Sequence, residues 1–177
     1  MTLNQVVKNL NYIANAHNQI NHFFFGELYN FASSGTTNYP AMAVTVEPAT
    51  YSENMLTMNF NVYILDLVHK DLSNQTEVLS DTQSICLDVL ALIKDPTIYS
   101  WNIDINTTLT DIQGGYDDEV SGYWFPLKIR VPKPLDTCQV PLRSALQVVP
   151  DITEDNSNIT NNNDLYILTG GGITLGT

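Results

Sequence analysis

Two stretches of this chain alternate apolar and polar side chains for ten residues or more, which commits them to a sheet with one buried face. In LTMNFNVYIL (56–65), Leu56, Met58, Phe60, Val62 and Ile64 fall on one side and Thr57, Asn59, Asn61 and Tyr63 on the other. In VSGYWFPLKIRV (120–131), Tyr123, Phe125, Leu127, Ile129 and Val131 share a face, and Trp124, Lys128 and Arg130 share the opposite one. A side-chain period of two belongs to a strand, and a polar side beside an apolar one implies cover on one face only. Pro126 removes a ladder donor, so this strand should lie at a sheet edge there or carry a bulge.

Amphipathic helices supply the cover. Thr2 can cap a helix in which Leu3, Val6, Val7, Leu10, Ile13, Ala14, Ile20 and Phe23 recur at helical spacing, to about residue 24. In Phe23-Phe24-Phe25, one ring continues this stripe and at least one points elsewhere. A second helix over about 76–94 carries Val78, Leu79, Ile85, Cys86, Val89, Leu90 and Ile93 and stops at Asp95-Pro96. Between the helices, AMAVTVEP forms a short strand with Met42, Val44 and Val46 on one face, followed by a break at 48–54. Trp101 to Leu109 alternates again, with Ile103, Ile105 and Leu109 inward.

The expected fold is α+β: an antiparallel or mixed sheet of about four strands, with two helices packed on one face. Residues 1–131 form this domain. Residues 132–177 form an extended C-terminal arm, punctuated by Pro132, Pro134, Pro141 and Pro150 and carrying an Asn-rich run at 151–164. The arm ends in an apolar strand-like segment, and Leu165, Tyr166, Ile167 and Leu168 are suited to pairing with a neighbouring sheet edge.

Charge narrows the function. Seven Lys and Arg stand against 19 Asp and Glu, a net charge of −12 in 177 residues. Tight nucleic-acid binders neutralise phosphates with a basic patch, and this balance repels them. No apolar run reaches the roughly 20 residues that cross a bilayer, so no membrane partner is expected. The N-terminal segment alternates where a signal peptide would be continuously apolar, so export by a standard signal is not expected. Two cysteines, Cys86 and Cys138, are too few for a stapled scaffold and read as reduced thiols.

Catalytic chemistry finds little purchase. His17 and His22, five apart, lie on different sides of a helix and would not share a metal. His69 near Asp66 and Asp71 reads as a solvated turn. Asp111, Asp117, Asp118 and Glu119 miss the alternation of a calcium loop and read as a hairpin tip. Gly170-Gly171-Gly172 has no following helix or lysine to hold phosphate. Cys86 lies on a core stripe, and Cys138 has no nearby base. No catalytic residue, metal or cofactor is expected. Trp124, Lys128 and Arg130 together suit a protein interface, where Trp and Arg are favoured anchors.

The order of these elements resembles the tail-completion or tail-terminator proteins of tailed bacteriophages and their relatives in the head–tail connector. The resemblance covers roughly residues 1–131. It runs through the N-terminal helix, Tyr39-Pro40-Ala-Met-Ala-Val-Thr-Val, the strand ending Val62-Tyr-Ile-Leu and the helix Asp81–Ile93. It closes with an acidic Gly-containing loop and Gly122-Tyr-Trp-Phe-Pro-Leu-Lys-Ile-Arg-Val. It implies a non-enzymatic virion protein, made in the host cytoplasm and assembled with itself as a hexameric or dodecameric ring at the head–tail junction. Portal, connector or tail proteins would be its neighbours. DNA would pass through without being gripped, and Asp111, Asp117, Asp118 and Glu119 would face the channel or its rim. A small soluble ligand- or protein-binding module is the alternative.

Overall fold

A computed structural model of the chain describes residues 1–32, 37–95, 99, 101–103, 107–113, 119–136 and 138, with the backbone of 167–169 and 172–174. They belong to two units, Met1–Leu135 and Asp136–Thr177. In the first unit, Thr2 opens helix α1 (Leu3–Ala16) through a capping box. Its hydroxyl accepts from the Gln5 amide at 3.3 Å, and its own N–H donates to the Gln5 side chain at 2.8 Å. The helix ends where His17 turns extended, well short of residue 24. Ile20 is buried from the connection that follows, and the phenylalanines form strand β1 (His22–Phe25). Strand alternation sends Phe23 into the main core and Phe24 to the opposite face of the sheet.

After the short helix α2 (Leu28–Ala32), β2 (Ala41–Ser52) and β3 (Met55–Leu67) make a long hairpin. The expected break at 48–54 is instead the far half of this hairpin. Glu53 and Asn54 adopt positive φ of 51° and 61°, the turn geometry that joins twisted antiparallel strands. Pro48 sits at a register irregularity between Glu47 and Thr50. Helix α3 (Gln75–Lys94) follows, with Asp95 as its C-cap before proline. Buried Thr82 joins its apolar stripe because its hydroxyl bonds back to the Val78 and Leu79 carbonyls.

The sheet has six strands, not four. Its order is β1-β2-β3-β6-β4, with β5 also paired to β6, where β4 is Asn102–Ile103, β5 is Thr110–Gln113 and β6 is Val120–Pro132. β1 runs parallel to β2, and the other pairs are antiparallel, so the sheet is mixed. In place of one strand over 101–109, two short ladders lie along the edge of β6 away from β3, and Ile105 lies outside the described residues. Ladders of two to four residues are too short to register as alternation.

Helices α1 and α3 cover one face, where Leu10, Ile13, Ile85 and Ile93 meet Phe60, Phe125 and Ile129. Each such side chain contributes about 1.5–3 kcal/mol on burial. Cover is not confined to that face. α2 places Phe31 over Ala41, Ala43 and Leu65 at one end of the other side, with Phe31 and Phe24 centroids 5.6 Å apart. Ala-Met-Ala-Val is apolar on both sides because both sides are packed there.

Pro126 lies within a continuous β3–β6 register, opposite Asn61. Its carbonyl accepts from the Thr107 hydroxyl at 2.9 Å, so its nitrogen also points away from β3. There, β4 and β5 leave 125–128 without a described ladder partner. The strand has a local edge, and the missing donor leaves no carbonyl of β3 unpaired.

In the second unit, β7 (Ile167–Thr169) pairs antiparallel with β8 (Gly172–Thr174) as a separate two-stranded sheet. Leu165 and Tyr166 lie outside the described residues. Among the described residues, no helix is long and apolar enough to cross a membrane.

Candidate functional site

Beyond α2, the second face of the sheet is open and polar. Strand parity puts Trp124, Pro126, Lys128 and Arg130 of β6 on it, opposite Tyr63, Asn61, Asn59 and Thr57 of β3. Thr45 and Glu47 of β2 continue the row, opposite Asn61 and Asn59. Of these, Glu47, Thr57, Asn59, Asn61, Pro126, Lys128 and Arg130 border a groove of about 640 Å³. Two contacts order its rim: the Asn61 amide donates to Glu47 Oε1 at 2.9 Å, and the Asn59 amide to the Pro48 carbonyl at 2.6 Å. Trp124 is half-buried and stacks on Tyr63 with centroids 5.9 Å apart. Lys128 and Arg130 are exposed.

The three β6 residues expected at an interface therefore share a face. The β2 contribution is missed from the sequence because it depends on the register that sets Thr45 and Glu47 beside Asn61 and Asn59. The apolar alternation of β2 does reach Val46, but that residue is 51% exposed, beyond the helical cover.

The acidic loop is only partly described. Asp111 is exposed on β5 and accepts from the Gln113 amide at 2.7 Å. Glu119 is exposed, and its carbonyl accepts from the Val68 N–H at 2.8 Å. Asp117 and Asp118 lie outside the described residues.

Other titratable groups serve local structure. His17 Nδ1 accepts from the Gln19 N–H at 3.3 Å, so Nε2 carries the proton that faces Asp88 Oδ2 at 3.4 Å. This pair links α1 to α3. His69 belongs to a turn in which Asp71 Oδ1 accepts from both the Ser73 hydroxyl and N–H. Those bonds hold the Asp71 carboxyl below the usual range. Because the Ser73 proton points at Asp71, His69 is not placed to activate that hydroxyl.

Asp66 borders a second groove of about 530 Å³ with Asn21 and Asn38. Burial raises its pKa against the bond it accepts from the Leu67 N–H, and the charge of Asp81 adds a smaller upward push. Cys86 is buried, and its thiol is pushed up to about 12. Among the described residues, no three His, Cys, Asp or Glu gather as a metal-binding group.

Compared with models of known protein families and with curated protein sequences, the chain matches neither.

Proposed function

We propose that this chain is a non-enzymatic structural protein of a tailed-phage virion. It assembles with itself as a hexameric or dodecameric ring at the head–tail junction, as tail-completion, tail-terminator or connector proteins do. One observation carries the reading: half of a long three-stranded ladder leaves its polar face open while its hairpin end extends beyond the helical cover. Val46 and Tyr51 are 51% and 43% exposed on that extension. A polar, cross-strand surface of this kind suits a broad protein contact better than turnover of a small molecule.

The electrostatics favour passage of DNA over its retention. At −12, a lumen lined by this protein repels phosphate, whereas a basic lumen would bind it through counterion release. Asp111, Asp117, Asp118 and Glu119 are proposed at the channel or its rim, and residues 165–168 as a contact to a neighbouring subunit.

Light scattering and negative-stain imaging, alone and with connector and tail proteins, test the reading. Rings of six or twelve copies are expected. Protomers that stay solitary under all these conditions overturn it. The 640 Å³ groove favours one alternative, a small binding module, which predicts a small species that gains thermal stability with a low-molecular-weight ligand.

A further inference from the structure

From the groove at the end of β3, we infer that the protein holds a primary alkylammonium group there, of the kind a lysine side chain of a partner presents, with Asp66 as its counter-ion. The site lies apart from the open sheet face, so the inference does not depend on the ring reading.

Topology makes the groove. β2 begins at Ala41, opposite Leu65, while β6 continues along β3 through Asp66 and Leu67. On the β2 side, the last two residues of β3 therefore have no ladder partner among the described residues. The chain before Ala41 is held by Asn21 instead. Its side-chain amide donates to the Tyr39 carbonyl at 2.7 Å, and its backbone N–H donates to the Pro40 carbonyl at 2.8 Å. Asn21, Thr37, Asn38, Tyr39, Asp66 and Leu67 border the resulting space of about 530 Å³.

Acceptors are in surplus there. Asp66 Oδ1 accepts from the Leu67 N–H at 2.8 Å. Among the described residues, neither Asp66 Oδ2 nor Asn21 Oδ1 accepts a hydrogen bond, and the Asn38 side chain makes none. A ligand that brings donors and positive charge fits this set, whereas an anion would meet a carboxylate. The open acceptors belong to separate residues. That suits the three splayed donors of an ammonium better than the flat fork of a guanidinium, which matches both oxygens of one carboxylate. Leu67, 48% exposed, gives the alkyl stem an apolar wall.

The electrostatics agree. Burial, and to a smaller extent the charge of Asp81, work against the Asp66 anion, so at neutral pH a neutral amide would suit the fold better. A half-buried carboxylate retained at the wall of a groove is what a bound cation would stabilise.

Saturation-transfer NMR on the full chain tests the site at any assembly size. The probes are the Nα-acetyl methylamides of lysine, arginine and norleucine, the last having an apolar stem without the charge. The lysine probe is expected to bind saturably, with a dissociation constant on the order of millimolar, and the norleucine probe at least about tenfold more weakly. Asp66→Asn, which keeps an acceptor for the Leu67 N–H, is expected to weaken the lysine probe at least about tenfold, with circular dichroism checking its fold. The comparison of probes on the wild type needs no variant.

No saturable binding of the lysine probe, or equal binding of norleucine, overturns the proposal. So does binding that survives Asp66→Asn unchanged, which would mark general attraction to a chain of net charge −12. Preference for the arginine probe, or displacement of lysine by equimolar calcium, overturns the ammonium assignment. Cadaverine, a free diamine, tests the source. Binding no tighter than that of the lysine probe supports a protein side chain, and binding at least about tenfold tighter overturns that source in favour of a free amine.

Discussion

Gly122 of β6 lies so close to the backbone of β3 that a Cβ at this position would run into the carbonyl oxygen of Ile64. The obstacle is backbone within the central ladder, where Gly122 pairs with Leu65, so no side-chain movement can relieve it. Gly122→Ala is expected to destabilise the fold by about 2–3 kcal/mol or more, through displacement of β6 from β3. Urea denaturation measures this, and a loss below about 0.5 kcal/mol would contradict the close approach.

Pro126 predicts the reverse. Its nitrogen faces the local edge between β4 and β5, so Pro126→Thr adds a donor where no described ladder carbonyl waits for one. Stability is expected to change by no more than about 0.5 kcal/mol. A loss comparable to that of Gly122→Ala would mean that the ring fills space the open groove does not show.

Cys86 and Cys138 should differ in reactivity. With Cys86 buried and its thiol at about 12, almost none is thiolate at pH 8, and only Cys138 is exposed to reagent. One thiol is expected to react with a disulfide reagent in the native protein, and two in guanidinium. The folded pKa is raised above the unfolded one, so the contribution of Cys86 is fully present below about pH 9 and is lost towards pH 12. Wild-type stability should fall in that window by up to about 1.4 kcal/mol per pH unit more than that of Cys86→Ala. Parallel pH curves would refute the assignment.

Asp66 shifts in the same direction at acid pH. Burial raises its folded pKa above 3.8, so its stabilising contribution is complete below that value and lost as pH rises through the folded pKa. Asp66→Asn, which keeps an acceptor for the Leu67 N–H, should match wild type near pH 3 and become the more stable protein towards pH 7. Denaturation curves at both pH values decide it. A variant no better at pH 7 than at pH 3 would show that Leu67 outweighs burial.

Much of the fold was legible because its longest elements have their own period. β3 and β6 alternate over more than ten residues, and their inner sides, Phe60, Val62, Phe125 and Ile129, are fully buried. α3 was bounded by its stripe and by Asp95-Pro96. The first helix was read too long because Ile20 and Phe23 continue its spacing by coincidence. Ile20 is buried from the connection, and Phe23 packs half-buried against the same core from β1. Among the candidate site residues, Trp124, Lys128 and Arg130 could be placed on one face from parity alone, whereas the pairing that sets Glu47 beside Asn61 depends on the register of β2 against β3.

From the amino-acid order alone came the α+β class, the capped first helix, the two central strands and the side of β6 on which each charge stands. These depend on local geometry, which repeats every two or 3.6 residues. Only tertiary structure decided that β1 joins β2 in parallel, that Phe31 covers one end of the second face, and that the rest lies open with Asn61 held by Glu47. Such outcomes depend on which distant segments meet. A ladder of two to four residues, or a hydrogen bond across fourteen, leaves no period in the chain for a reader to find.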